Sequence, residues 1–535
     1  MATTITHEIG TWDTFHNNGP FPTKILYETS LEEKGNMPSV TDRYNDAAAE
    51  IQRLLKAALD NHEGFRAYGS AWSLSHIAHQ KDNMHFNAAM NLKKSISADE
   101  LHPGTTYLQE NLFLFQCGNV IKEISNFLFE NGKSLKATGA SNGQTIAGCV
   151  STGVHGSALD VGAMQDSVVG INLIIGNGAD DIVYLERHTK PVLNDVFANR
   201  IKARVIRNDG LFNAALVSLG SFGFIHGLVI ETEDRFLLNR YVKKLDKDTA
   251  LHLAQTMAFE DSDFSVPGET DADGKPNRPF HYKVFINPYV NDTEYAIEVM
   301  YKKPYHSGYP DPVPLIKTSV YRDLILLFVS IAERFKNSIP TLIKFLQSAA
   351  LPPIDFQVTG TLGEIFWDAG YQGNAFACSI GVDIKDSAKA LELLANLAKT
   401  EGPIPGIYAM RFVKQSKATL AFTRFPVTCM IEIDGLNWNP KTDKLISLPN
   451  FCTRIIEVFQ ANNISFTEHW GKNADWSFPG LVKCMYGDNA QLWQQYRCAL
   501  LRKETADLFS NDFLQNIGLS EYLTDVPDGF AKSIL

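Results

Sequence analysis

Between Thr138 and Ala158 the chain reads TGASNGQTIAGCVSTGVHGSA, with Gly139, Gly143, Gly148, Gly153 and Gly156 set among small and hydroxyl-bearing residues. Glycine at this density lets backbone N–H groups converge where a Cβ would obstruct them, and convergent amides form a nest for an anion such as a pyrophosphate. Ser and Thr side chains, among them Thr138 and Thr152, add hydroxyl donors. The segment follows a helical repeat at Val120, Ile124, Phe127 and Leu128 that Gly132 closes as a C-terminal cap. A fold that accepts this chain must therefore hold a glycine loop immediately after a helix.

An earlier unit of the same kind opens the chain. Ile51, Leu54, Leu55 and Ala58 recur at helical spacing between Asp46 and Leu59, and FRAYGSAWSLS follows after Gly64. Further on, Ile171–Ile175 and Ile182–Leu185 flank GNGADD, which predicts a hairpin with Asn177-Gly178 in a type I′ turn. LGSFGFIHG (219–227) has its glycines in the wrong order for a Rossmann fingerprint and precedes a strand, LVIET, rather than a helix.

Near residue 240 the texture changes. An acidic loop, DSDFSVPGETDADGKPNRP, leads into strands HYKVFINPYV and EYAIEVMYKK, then the strand ACSIGVDI, the helix DSAKALELLANLAKT, and three strands centred on Ala409, Ala421 and Ile431. This is an α+β layer pattern. At 535 residues the chain exceeds what one compact core serves. The expected organisation is a first lobe over 1–240, an α+β cap with an antiparallel sheet over 241–465, and a return to the first lobe over 466–535.

Bulk properties exclude several classes. A formal net charge of −11 argues against a nucleic-acid partner, which needs clustered Lys and Arg. The start MATTITHEIGTWDTF lacks the basic and apolar regions of a secretion signal, and seven scattered cysteines form no CxxC pair, so a cytoplasmic location is expected. No apolar run approaches the roughly 20 residues of a membrane span. The strongest, Leu324–Ile331, places Leu324, Leu327, Phe328, Ile331 and Phe335 at helical spacing and predicts an amphipathic helix, the alternative being an entrance for an apolar substrate. His76 and His79 have HxxH spacing but no third ligand at a recognised spacing, so no metal is expected. Nothing in the sequence speaks to oligomeric state.

FRAYGSAWS, then TIAGCVSTGVHGSA, DSVVGINLI and the strand after LGSFGFIHG together resemble the FAD-binding domain of the vanillyl-alcohol oxidase superfamily, the PCMH-type fold with its two subdomains. The closer resemblance is to the alditol oxidase and aldonolactone oxidoreductase branch, because EHWGK (468–472) looks like that branch's C-terminal HWGK motif. The resemblance implies FAD held by Tyr68, Gly69, Ser70, Ala71, Trp72 and Ser73 of the first loop. From the second loop it adds Thr138, Gly139, Gly143, Gly148, Cys149, Thr152, Gly153, His155 and Gly156. In that family the first loop usually reads GxGHS, and its histidine carries the covalent link to the flavin. Here Trp72 stands at that place and has no nucleophilic nitrogen comparable to imidazole, so noncovalent FAD is expected.

On the substrate side, the strand IYAMRFV sets Ala409 and Arg411 two apart and so on one face. The resemblance implies a Glu-x-Arg pair here; Arg411 matches and Ala409 does not, which leaves the substrate class open. It further implies that Ser157 and Lys472 lie on the substrate side of the flavin. Arg411 and Lys472 would stabilise the negative charge that builds when a hydride leaves an alcohol carbon. His469, Tyr408 and Glu432 are candidate proton acceptors, with His469 the leading one. The expected activity is oxidation of a CH–OH group on a small organic substrate, with O2 as acceptor and H2O2 as product. A dehydrogenase using another acceptor, an oxidase for apolar alcohols and a silent flavin-binding protein are the alternatives.

Overall fold

The computed structural model describes residues 2–31, 39–290, 292–310, 331–350, 353–366, 373, 375–438, 445–525 and 527. Three larger sheets organise them. The first contains β1 (Ala2–Glu8), β2 (Ile25–Leu31), β3 (Phe65–Tyr68) and β4 (Asn83–Phe86), in the order β1-β2-β4-β3. The second contains β5 (Lys93–Ser95), β6 (Leu112–Gln116), β7 (Val168–Ile174), β8 (Ile182–Glu186), β9 (Arg204–Arg207) and β10 (Phe224–Glu231), in the order β9-β8-β7-β10-β6-β5.

The third sheet has eight strands: β11 (Phe236–Asp246), β12 (His281–Ile286), β13 (Glu294–Pro304), β14 (Gln357–Thr361), β15 (Ala375–Asp383), β16 (Gly406–Lys414), β17 (Val427–Leu436) and β18 (Phe466–Glu468). Their order is β14-β11-β13-β12-β16-β17-β15-β18, and every adjacent pair is antiparallel. The architecture is α+β, and the antiparallel sheet begins at Phe236. The last stretch of chain behaves in two ways. Residues 466–468 still pair with β15, whereas Phe509 beyond them accepts a hydrogen bond from Arg66 of β3.

The first long helix runs Val40–Asp60 and starts six residues before Asp46, where the helical stretch was expected to begin. Ser39 caps it by accepting from the Asp42 amide, and the Asp42 carboxylate returns to the Ser39 amide. Tyr44, Ala47, Ile51, Leu54, Leu55 and Ala58 form its buried stripe. The second helix, Ile121–Glu130, ends as expected before Gly132, whose φ of 73° lies in the left-handed region.

Two local expectations need correction. β7 and β8 do form a hairpin, with Ile174 opposite Ile182, but residues 175–181 connect them rather than a two-residue turn. Gly178 has φ −81°, and its N–H donates to the Asp181 carboxylate at 2.8 Å, so an aspartate closes the loop in place of positive φ. The strand expected at Ala421 is a buried loop. Its carbonyls are taken by side chains, Leu420 O by Trp470 Nε1 at 2.9 Å and Phe422 O by Thr467 Oγ1 at 2.8 Å, which leaves no ladder for a neighbouring strand. The apolar stretch at Leu324, Leu327 and Phe328 lies outside the described residues; Phe335, at its end, is 64% exposed. Among the described residues no helix is long and apolar enough to cross a membrane.

Arg66 joins distant parts of this framework. Fully buried, it donates to Ile77 O at 2.8 Å, Leu219 O at 2.5 Å, Gly220 O at 2.9 Å and Phe509 O at 3.1 Å, so one guanidinium serves four backbone carbonyls. Arg66→Met fills similar volume and orphans three of them, since Ile77 O keeps Asn511 Nδ2 at 3.0 Å. At roughly 1–3 kcal/mol for each buried acceptor left bare, the expected loss of unfolding free energy is about 3 kcal/mol or more. Urea denaturation checks this, and a variant within about 1 kcal/mol of the parent would show that water replaces the guanidinium.

Candidate active site

The two glycine loops and the third sheet enclose a cavity of about 250 Å³. Tyr68, Gly69, Ser70, Ala71, Trp72 and Ser73 line it from the first loop. Gly139, Gly148, Cys149, Thr152 and His155 line it from the second, and Arg411, His469 and Lys472 close the opposite side. Gln144 and Thr145, also on the wall, belong to the second loop but were not singled out from the sequence. Thr138, Gly143, Gly153 and Gly156 stand behind the wall and shape it. A Cβ on Gly156 would sit 2.4 Å from Thr138 O, and one on Gly69 would sit 2.0 Å from Thr145 Oγ1, so these backbones approach only as glycines. Ser70 Oγ donates to Gly143 O at 2.6 Å and ties the loops together. The Gln144 side-chain oxygen is buried there without a protein partner.

Trp72 occupies a slot of its own. Its ring stacks on Phe15 at 4.4 Å between centroids, and a Cβ on Gly143 would strike its Cζ3 at 1.8 Å. The Phe15 amide bonds Ala71 O at 2.8 Å, and Ala71 itself adopts φ 52°. An N-terminal strap thus covers the first loop and brings His16 to the cavity wall. Nothing in the local sequence around Phe15 and His16 marked them, because their role depends on a contact with residues more than fifty positions away.

Ser157 requires a correction. It is 2% exposed and absent from the cavity wall; its hydroxyl donates to Tyr282 O at 2.6 Å and accepts from the Phe412 amide at 3.0 Å. Its hydrogen and one lone pair join the glycine loop to β12 and β16, which leaves no donor to offer a substrate. Ala409 is likewise buried and off the wall.

The third sheet supplies charge. Arg411, 7% exposed, pairs through Nη2 with Oε1 of Glu432 on β17. Glu432 lies directly opposite Ala409 in the β16–β17 register, so a carboxylate stands at the level of Ala409 but one strand over. Burial pushes the Glu432 carboxyl up; Arg411 foremost, then His155, Lys283 and Lys472, outweigh this and hold it at about 2. Lys283 on β12 pairs in register with Arg411, and burial followed by the Arg411 charge lowers its pKa. Neither Glu432's pairing nor Lys283's presence follows from spacing along the chain; both follow from strand register.

The EHWGK turn is fastened on two sides. The His469 amide donates to Ser379 O at 3.1 Å on β15, while Gly471 O accepts from the Leu74 amide at 2.9 Å and Trp470 O from Ser75 Oγ at 2.6 Å. Lys472 lies 3.9 Å from Asp434. His155 and His469 face one another at 5.5 Å, and Phe422 packs on both rings, at 5.2 and 5.1 Å. Burial, then Arg411, lowers His155 to about 4; burial, then His155 and Lys472, lowers His469 well below its ordinary value. Both rings are therefore neutral at pH 7. Tyr408 lies on the other face of β16, with its hydroxyl directed to Leu394 O at 3.4 Å. His76 begins a short 3-10 turn and His79 bonds Pro22 O at 2.8 Å; among the described residues no group of three His, Cys, Asp or Glu is placed to hold a metal.

Residues 45–179 match the FAD binding domain family. The D-arabinono-1,4-lactone oxidase of Kluyveromyces lactis is 26% identical over 208 residues, 39% of this chain and 35% of that protein. Its Saccharomyces cerevisiae counterpart is 25% identical over 188 residues, 35% of this chain and 31% of that protein. The matched region thus spans about a third of these relatives' own length. In three dimensions the likeness extends further. Cholesterol oxidase from B. sterolicum superposes with a TM-score of 0.64 at 12% identity, covering 96% of this chain and 97% of that one. A solvent-stable cholesterol oxidase gives 0.62 at 12% identity, with 95% and 97% covered. At such identity these likenesses speak to the fold. The family match lies across both of the glycine loops that build the cavity, so residues 45–179 are similar to the FAD binding domain family, and the chain's sequence relatives include D-arabinono-1,4-lactone oxidases.

Proposed function

We propose that this protein is an FAD-dependent oxidoreductase that oxidises a CH–OH group of a small polar substrate, with O2 as the terminal acceptor. The observation that carries the reading is that Arg411, Lys472, His155 and His469 line the same cavity as the nucleotide-type loops. Bound FAD would supply the two-electron acceptor. The loops of 69–73 and 139–155 would hold it, and the buried Gln144 oxygen and the glycine cradle fit a polar group pressed against backbone.

Chain residues account for the remaining chemistry. Arg411 and Lys472 present positive charge where a substrate oxygen becomes electron-rich, and burial strengthens that interaction. Glu432 orients the guanidinium through its ion pair and offsets one of the cations. Polar walls of this kind favour a hydroxylated substrate, such as an alditol or an aldonolactone of the class named for the yeast relatives, over an apolar alcohol, which would strip water from the charges without replacing its hydrogen bonds. A dehydrogenase would use the same residues, and comparing peroxide yield with dye reduction separates the two. A cytoplasmic location stays part of this proposal, on the seven scattered cysteines with no CxxC pair.

FAD is held without a covalent bond in this reading, because Trp72 is clamped between Phe15 and Gly143 and carries no nucleophile. Acid precipitation of the holoenzyme is expected to leave the yellow chromophore in the supernatant; colour in the pellet would instead point to a tether from a histidine on the cavity wall.

Arg411→Ala and Lys472→Ala are each expected to keep FAD and to slow anaerobic flavin reduction about 10²–10³-fold. Full reduction rates in both would defeat the electrostatic role. Glu432→Gln is expected to slow the same step about tenfold or more by releasing the guanidinium. Adding Ala409→Glu to that variant returns a carboxylate within reach of Arg411 and should recover much of the loss. A double variant no faster than Glu432→Gln alone would show that the carboxylate does more than orient Arg411.

A further inference from the structure

The sequence points to His469, Tyr408 and Glu432 as proton acceptors, and the structure disfavours each of them. Tyr408 is turned to the far face of β16. Glu432 also lines the cavity, but its Oε1 is committed to Arg411, which foremost among its neighbours holds the carboxyl at about 2 and makes it the poorer proton acceptor. His469 Nδ1 accepts the Gly471 amide N–H at 3.1 Å; since the neutral ring carries one hydrogen, that hydrogen is on Nε2, which makes Nε2 a donor.

His155 has the opposite tautomer. Its Nδ1 lies 3.1 Å from Gly156 O, and a carbonyl can only accept, so the hydrogen is on Nδ1 and Nε2 carries a bare lone pair. Among the described residues nothing donates to that nitrogen. His155 lines the cavity together with Arg411, Lys472 and His469, and Phe422 and His469 pack around its ring.

We propose that His155, through Nε2, is the catalytic proton acceptor of this site, and that His469 Nε2–H is a hydrogen-bond donor beside it. The inference rests on the oxidoreductase reading above. In the step, the substrate's hydroxyl proton passes to His155 Nε2. The carbon-bound hydrogen leaves with its electron pair to the bound FAD, and the C–O bond becomes C=O. Glu432, Arg411, Lys472 and His469 are the charged or titratable groups that face the ring. Burial and the two cations keep the imidazole neutral, to about 4, so Nε2 is bare at pH 7. The electron pair that leaves the substrate adds negative charge to the cavity, which favours the imidazolium as it forms.

Two measurements on the FAD-loaded enzyme test this. In the first, alditols and aldono-1,4-lactones are screened for anaerobic flavin bleaching by the wild type, His155→Asn and His469→Gln. His155→Asn retains a donor for Gly156 O but loses Nε2, and it should lower the limiting rate at least 100-fold. KM should change only a few-fold, FAD should stay bound, and added imidazole should restore part of the rate. His469→Gln keeps an N–H donor and should lose less. A His155→Asn enzyme that reduces flavin at the wild-type rate, or one slowed no more than His469→Gln and deaf to imidazole, overturns the assignment while leaving the oxidoreductase reading intact. A wild type that none of these substrates bleaches overturns both. In the second, NMR of 15N-histidine-labelled holoenzyme at pH 7, assigned with the two variants, should find the hydrogen of His155 on Nδ1 and that of His469 on Nε2. A hydrogen on His155 Nε2 overturns the proposal whatever the kinetics.

Discussion

A single hydroxyl sets the distance between the two halves of the site. Ser157 Oγ gives its hydrogen to Tyr282 O and takes one from the Phe412 amide, and with both bonds buried each is costly to leave unmade. Phe412 follows Arg411, and Tyr282 stands between His281 and Lys283. The height of the glycine loop over the sheet, and with it the place of Arg411 on the cavity wall, therefore follows from where Ser157 is held. His155, two residues before it, is carried to the cavity wall by the same anchoring.

Charge inside the cavity is managed by register. β12, β16 and β17 lie side by side, so Lys283, Arg411 and Glu432 meet although they are more than twenty residues apart in sequence. Glu432 and Asp434 stand among Lys283, Arg411 and Lys472, so cations outnumber carboxylates there and the site suits an electron-rich oxygen. Burial, and after it the same field, keeps both histidines neutral, which makes their tautomers, rather than their charges, the chemical variable.

Much of the cofactor side could be read from residue order. The loop at 69–73 and the run 138–156 are local features, and a glycine acts where it stands: Gly69 and Gly156 are needed because Thr145 and Thr138 press against them. Arg411, His469 and Lys472 were legible because a strand's alternation and a short turn place side chains without help from distant chain. Ser157 was misread, since its neighbours in sequence say nothing of Tyr282 or Phe412. The buried run at Ala421 was misread for a related reason: its apolar residues look like a strand, but side chains from the EHWGK region claim its carbonyls.

Local pattern alone therefore settled the α+β class, the two glycine loops, the absence of histidine at position 72 and the pairing of Arg411 with an alanine two residues before it. Which carboxylate faces Arg411, which strap closes over Trp72 and which histidine presents a lone pair were decided by tertiary structure. The physical reason is common to all three. Each depends on a hydrogen bond, a ring contact or a strand register whose partner is brought near only by folding, and whose energy is realised only where burial removes the competing water.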